Sequence, residues 1–204
     1  MPRDGTITRD KILDTAEALI LDQGYAATSI DKLIDAVGVT KGTFFYHFDN
    51  KAALAHTLVE RYARADLALR EEFRARAGKL SRDPLQQLLI FIGLYQEMME
   101  GLEDPYPGCL FASYLYEANL FDAETMQVID ATYRDWRVVL GGMIERASED
   151  HPPNLPVDTA DLADMFTVTV EGAFIMSKTL KEPKLVAAQL RLYRDFVELL
   201  FAPR

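Results

Sequence analysis

Apolar residues recur along this chain at steps of three and four, and no stretch keeps up an alternation of period two. That spacing lays one apolar stripe along a helix, so the pattern predicts helices throughout and no strand. Between Thr28 and Leu54 the helices are short. Ile30, Leu33, Ile34 and Val37 fall at i, i+3, i+4 and i+7, with Thr28 or Ser29 as the cap and Gly38 as the stop. Thr40 then caps a second short helix over Lys41–His47, and Asn50 caps a third that Lys51 opens. Two short helices joined by a glycine-containing turn make a helix-turn-helix, whose second helix enters a DNA major groove.

The rest of the chain follows the same period. Residues 1–7 read as a frayed tail. Thr8 caps a helix with Ile12, Leu13, Ala16, Leu19 and Ile20 on one face, ended by Gly24. A long helix follows over Lys51–Ala77, with Leu54, Leu58, Tyr62, Ala65, Leu69 and Phe73 as its stripe. Ser81–Pro84 starts the next, which reaches about Glu100, and Gly101–Gly108 breaks the chain. A short helix follows Gly108. After Leu120 a long one carries Met126, Ile129, Tyr133, Trp136, Leu140 and Met143. Asp150–Pro156 is a proline-rich loop. Asp158 or Thr159 caps a helix to about Leu180, and Lys184–Phe201 forms the last. That last helix is apolar on two neighbouring faces, Val186, Leu190, Tyr193, Val197 and Leu200 on one, Leu185, Leu192, Phe196 and Leu199 on the other. The expectation is an all-α protein of about nine helices, its first three forming a small bundle plugged by Phe44 and Phe48.

Composition adds limits. The chain has 204 residues, 49% hydrophobic and 26% charged, as in ordinary globular proteins. The start has no apolar leader, and the longest apolar run, Leu88–Leu94, is far short of the roughly 20 residues that span a bilayer. One cysteine, Cys109, rules out an internal disulfide, so a cytoplasmic protein away from membranes is expected. The net charge is −10, and residues 1–56 carry six basic against eight acidic side chains. Any DNA grip must come from a local basic face.

The chemistry expected of the second short helix follows from its end. The Thr40 cap and the backbone N–H groups of Lys41 and Gly42 favour a phosphate. Lys41 adds charge, Gly42 allows close approach, and Thr43 reaches a base edge or a thymine methyl. Tyr46 and His47 donate to phosphates, and Lys51 grips another; Ser29 joins this DNA-binding set. A helix-turn-helix of this size reads only a few base pairs, so a homodimer on a near-palindromic operator is expected. The double-faced last helix and the one before it supply the dimer interface, with Leu162, Phe166, Val186, Leu190, Tyr193, Val197 and Leu200 as its residues.

Gly38–Leu54, GVTKGTFFYHFDNKAAL, resembles the signature of the TetR family of transcriptional repressors, in which the matched positions contact DNA. Phe45 stands where that family often has Tyr, and Asp49 where it often has Lys. The resemblance implies a DNA-binding domain over 1–50, joined by helix 51–77, and an effector-binding and dimerisation domain over 51–204. It implies a ligand-responsive repressor whose paired last helices form a four-helix bundle. It also implies an effector pocket behind the long linker helix, for a small apolar or aromatic molecule. Phe73, Tyr95, Met98, Met99, Cys109, Phe111, Tyr114, Trp136, Phe166, Val170 and Phe174 are its candidate lining.

Cys109 reads as lying in the first turn of a helix, where the dipole favours a thiolate and Glu103 and Asp104 oppose it. Gly-Cys-Leu at such a position resembles the family branch that senses electrophiles and oxidants, with Lys178 as the lysine partner. His47, His56 and His151 match no metal-ligand spacing, and no catalytic motif is present, so no catalytic residue, metal or cofactor is expected. The competing reading is an all-α dimeric small-molecule-binding protein or enzyme with a vestigial helix-turn-helix.

Overall fold

The computed structural model describes residues 3–202. Those residues form nine α-helices: α1 (Arg3–Gln23), α2 (Ile30–Val37), α3 (Lys41–His47), α4 (Lys51–Leu80), α5 (Pro84–Glu100), α6 (Leu110–Tyr116), α7 (Ala123–Asp150), α8 (Thr159–Leu180) and α9 (Leu185–Leu200). A 3₁₀ turn, Ala118–Leu120, separates α6 from α7, and no strand occurs among the described residues. Residues 3–7, expected as a tail, are instead the first turn of α1, which gains a packing surface where Gly5 faces the His47 ring.

The chain divides into two compact units, one of residues 1–65 with 107–130, the other of 66–106 with 131–204. Helices α4 and α7 each run from one into the other. In the first unit, Ile12, Leu13, Ala16 and Ile20 of α1 close over Leu33 and Val37 of α2 and Phe44 and Phe48 around α3, all buried. Leu54, Ala55, Leu58 and Val59 of α4 complete this core. Ser29 is the cap of α2, its hydroxyl accepting from the Lys32 N–H. Thr28 is buried, and donates to the Gly24 carbonyl at 2.9 Å. Gly38 ends α2 at φ +76, a left-handed turn that glycine adopts at little cost. The Lys11 ammonium donates to the Val37 carbonyl at 2.8 Å, satisfying the end of α2 from α1.

Helix α6 also packs on α1, although nearly ninety residues separate them. The Glu117 carboxylate, just past α6, accepts from the N–H groups of Tyr25 (2.7 Å) and Ala26 (2.8 Å) in the α1–α2 turn. Tyr114 donates to the Ala55 carbonyl at 3.3 Å and stacks on Phe121 at 4.1 Å, and Phe121 in turn meets Tyr25.

In the second unit α9 packs against α5 and α8. Asp83 caps α5 through the Gln86 N–H at 2.8 Å, and Asp158 caps α8 through Ala160 and Asp161. Asn154, in the proline-rich loop, donates through its side-chain amide to the carbonyls of Leu199 and Ala202 at the end of α9.

Candidate DNA interface and effector site

The residues expected to touch DNA separate into two groups. Thr40 caps α3, accepting from the Thr43 N–H at 3.1 Å, and the two hydroxyls are 2.9 Å apart. Lys41, Gly42, Phe45 and Tyr46 are exposed, and Tyr46 is 81% exposed for a residue of its size. A Cβ at Gly42 would meet nothing closer than the Thr40 hydroxyl at 3.8 Å. The fold therefore does not require glycine there. Lys41 is 3.4 Å from Asp31, an exposed pair that water screens and that leaves the ammonium available. Ser29 is exposed, Thr43 and His47 are half-buried, and Asp49 faces solvent beside this surface.

Lys51 is different. Its ammonium donates to the Tyr25 carbonyl at 2.5 Å and lies 3.9 Å over the Tyr25 ring. Burial pushes it below the ordinary lysine range, with the nearby Glu117 charge opposing. This ammonium is thus engaged by the α1–α2 turn, where the Tyr25 carbonyl also accepts the Thr28 N–H at 3.1 Å.

The predicted effector residues fall into three groups. Phe73, Tyr95, Trp136 and Phe166 form one aromatic cluster with Phe91 and Tyr193 in the second unit: Tyr95 lies 4.7 Å from Phe73, 5.5 Å from Trp136 and 5.6 Å from Phe166. Phe174, also in that unit, stacks on Tyr106 at 4.6 Å. Met99 is buried, Met98 and Val170 half-buried. Phe111 and Tyr114 belong to the first unit; Phe111 meets Tyr62 edge-on at 4.9 Å and Tyr114 is part of the Tyr25–Phe121 group.

Charged residues that sequence reasoning missed line the aromatic cluster. The Arg70 guanidinium is 2% exposed, 4.9 Å over the Trp136 ring and in contact with Asp135. The Trp136 indole N–H donates to both oxygens of Asp66, at 2.9 and 3.2 Å. Burial pushes the Asp66 carboxyl up, with the Arg70 charge and the indole N–H pulling the other way. The available signal was spacing: Asp66, Arg70, Phe73 and Ala77 fall at i, i+4, i+7 and i+11, one helix face.

The predicted dimer residues are also corrected. Leu162, Phe166, Val186, Leu190, Tyr193, Val197 and Leu200 are at most 4% exposed within a single chain. The Tyr193 hydroxyl donates to the Leu162 carbonyl at 2.7 Å, a contact between α9 and α8. Of two apolar faces on α9, α5 and α8 cover this one. The exposed apolar face is Met165, Val168, Ile175 and Met176 on α8 with Leu192, Phe196 and Leu199 on α9. Cys109 is the cap residue of α6, not within its first turn, and only 8% exposed; Lys178 is exposed on α8, in the other unit. No group of three potential metal ligands, and no helix long and apolar enough to cross a membrane, occurs among the described residues.

A capped helix, a left-handed glycine turn and a second capped helix with exposed Lys, Gly and Tyr define a helix-turn-helix transcriptional regulator. Residues 12–58 match the family model for bacterial regulatory proteins of the tetR family, and residues 84–193 match that for the tetracyclin repressor-like C-terminal domain. The second match alone spans more than half of the chain, and this protein belongs to the TetR family. Its class of activity is that family's ligand-responsive, DNA-binding transcriptional repression. The transcriptional regulator AcuR of Cereibacter sphaeroides is 24% identical over 95% of this chain and 87% of its own. The transcriptional repressor NemR of Escherichia coli (strain K12) is 25% identical over 71% of this chain and 70% of its own. The crystal structure of a TetR-family regulator from Agrobacterium tumefaciens superposes with a TM-score of 0.77 at 24% identity, over 97% of this chain and 100% of that one.

Proposed function

We propose that this chain acts as a cytoplasmic homodimer on a near-palindromic operator and lets go when a small apolar or aromatic effector enters the second unit. It is a regulator, not an enzyme with a vestigial DNA reader. The carrying observation is the surface of α3. Thr40, Lys41, Gly42, Thr43 and Tyr46 with the free N–H groups of the first turn present donors and one positive charge, and Gly42 is small where the fold does not need it to be. Ser29 and His47 flank this set. Asp49, at the same surface, lowers affinity without changing the mode of binding. The DNA-reading function belongs to residues 1–50 and the effector and dimer functions to 51–204.

The dimer face is the exposed stripe on α8 and α9, two helices from each copy making a four-helix bundle. The effector site is the aromatic cluster of Phe73, Tyr95, Trp136 and Phe166. Helix α4 runs from Lys51 past Phe73, so a change in the effector's surroundings reaches the helix-turn-helix along one element. The effector weakens DNA binding only by its difference in affinity for the two states. The test is binding to the DNA upstream of the protein's own gene across salt concentrations. A steep fall is expected, with the slope flattened by about 0.9 in Lys41→Ala for one lost phosphate contact. Salt-independent or absent binding sinks the reading.

A further inference from the structure

Two buried polar atoms in the aromatic cluster have no hydrogen-bond partner among the described residues: Arg70 Nη1 and the Tyr95 hydroxyl. Both residues are more than nine-tenths buried, 2% and 7% exposed. They share one neighbourhood, since the Arg70 guanidinium lies 4.9 Å from the Trp136 ring and the Tyr95 ring 5.5 Å from it. A buried donor without an acceptor is costly, and a charged donor more so. Each can be satisfied by one oxygen acceptor brought in by a ligand. Trp136 keeps partial exposure, so the cluster is not sealed from solvent.

The charges already present decide what kind of oxygen. Arg70 is paired with Asp135 through its other terminal nitrogen, and Asp66 holds the Trp136 N–H with both oxygens. Two carboxylates therefore face one guanidinium. A third carboxylate meets net repulsion, and an ammonium has no lone pair with which to accept from either donor. A neutral carbonyl has the lone pairs and no charge to be repelled. Resting on the reading of this cluster as the effector site, we propose that its ligands are neutral aryl carbonyl compounds (ketones, aldehydes or amides) whose oxygen accepts from Arg70 Nη1 and Tyr95 OH while the apolar body lies among the rings.

The test uses the full chain and four probes of one size: acetophenone, ethylbenzene, benzoate and benzylamine. Saturation-transfer NMR measures each Kd, and Trp136, the chain's one tryptophan, reports arrival at the cluster by its emission. Acetophenone is expected to bind about fivefold more tightly than ethylbenzene, and benzoate and benzylamine more weakly than both, as one or two net hydrogen bonds imply. Tyr95→Phe removes one donor without changing shape, and is expected to erase most of that preference while leaving ethylbenzene unchanged. Arg70→Lys, which keeps the charge beside Asp135 but not the second N–H, gives the same loss if the Tyr95 variant folds poorly. Equal binding of acetophenone and ethylbenzene, or tightest binding by benzoate, overturns the carbonyl assignment while the effector site stands. Failure of all four probes to change Trp136 emission removes the effector site and this proposal together.

Discussion

The carboxylate of Glu117 accepts the backbone N–H of Tyr25 at 2.7 Å, across 92 residues of chain, and holds the neighbouring Ala26 N–H as well. One side chain past α6 thus closes the turn that leads into the helix-turn-helix. The approach is close: a Cβ at Gly24, whose φ is +87, would stand 2.8 Å from the Glu117 oxygen.

Removing that clamp weakens the first unit without touching DNA. Glu117→Ala leaves two turn N–H groups without their carboxylate and costs about 1–3 kcal/mol, as for hydrogen bonds to a charged group. Gly24→Ala adds left-handed strain to a clash, while Gly38→Ala, where a Cβ meets nothing within 4 Å, carries the strain alone. Urea unfolding is expected to rank Gly24→Ala as the more destabilising of the two glycine variants. The reverse order denies Glu117 its place.

Lys41 and Lys51 sit ten residues apart in sequence and are expected to fail differently. Lys41→Ala weakens DNA binding and changes stability by less than about 0.5 kcal/mol, since its pair with Asp31 is exposed. Lys51→Ala removes one of the two donors to the Tyr25 carbonyl, which keeps the Thr28 N–H, and is expected to cost about 1 kcal/mol of stability. Thermal melts beside anisotropy titrations separate the two. A Lys51→Ala protein as stable as wild type places its ammonium on phosphate after all.

Assembly distinguishes the two faces of α8 and α9. Val168→Asp or Leu199→Asp puts a charge on the exposed stripe and is expected to shift sedimentation toward the monomer. Tyr193→Phe removes a hydrogen bond inside one chain and is expected to cost about 1 kcal/mol with the dimer intact. Dimers unaffected by both aspartates put the interface elsewhere.

The loop before α5 carries a pH dependence. The Gln86 N–H, and then the His151 ring 2.7 Å from Asp83, hold the Asp83 carboxyl below the usual aspartate range. A carboxylate lowered in the folded state stabilises above its unfolded pKa of about 3.9, and that contribution is lost as pH falls through the lower folded value. Asp83→Asn still caps the helix but cannot titrate. Its stability is expected to fall less than wild type between about pH 4 and pH 2, by a screened amount under about 1 kcal/mol. Parallel acid-unfolding curves would show the loop to be uncoupled from folding.

Cys109, at 8% exposure, is expected to react with a small maleimide far more slowly in the folded protein than in urea. Fast labelling that also abolishes DNA binding would make the thiol a sensor, as the resemblance of Gly-Cys-Leu to the electrophile-sensing branch implies.

The sequence by itself determined the helices, the glycine turn at Gly38, the cap at Thr40 and the family, while the choice of Asp83 within Ser81–Pro84 and of Asp158 over Thr159 came from the structure. Each depends on residues within one or two turns of each other, so spacing alone exposes it. The tertiary structure decided which of the two apolar faces of α9 is covered, because periodicity shows that a face is apolar but not what lies against it. It also decided that Arg70 is buried in an aromatic cluster, that the Lys51 ammonium meets the Tyr25 carbonyl, and that Glu117 closes a turn 92 residues away. Those outcomes depend on neighbours brought together by packing, and no local pattern carries them.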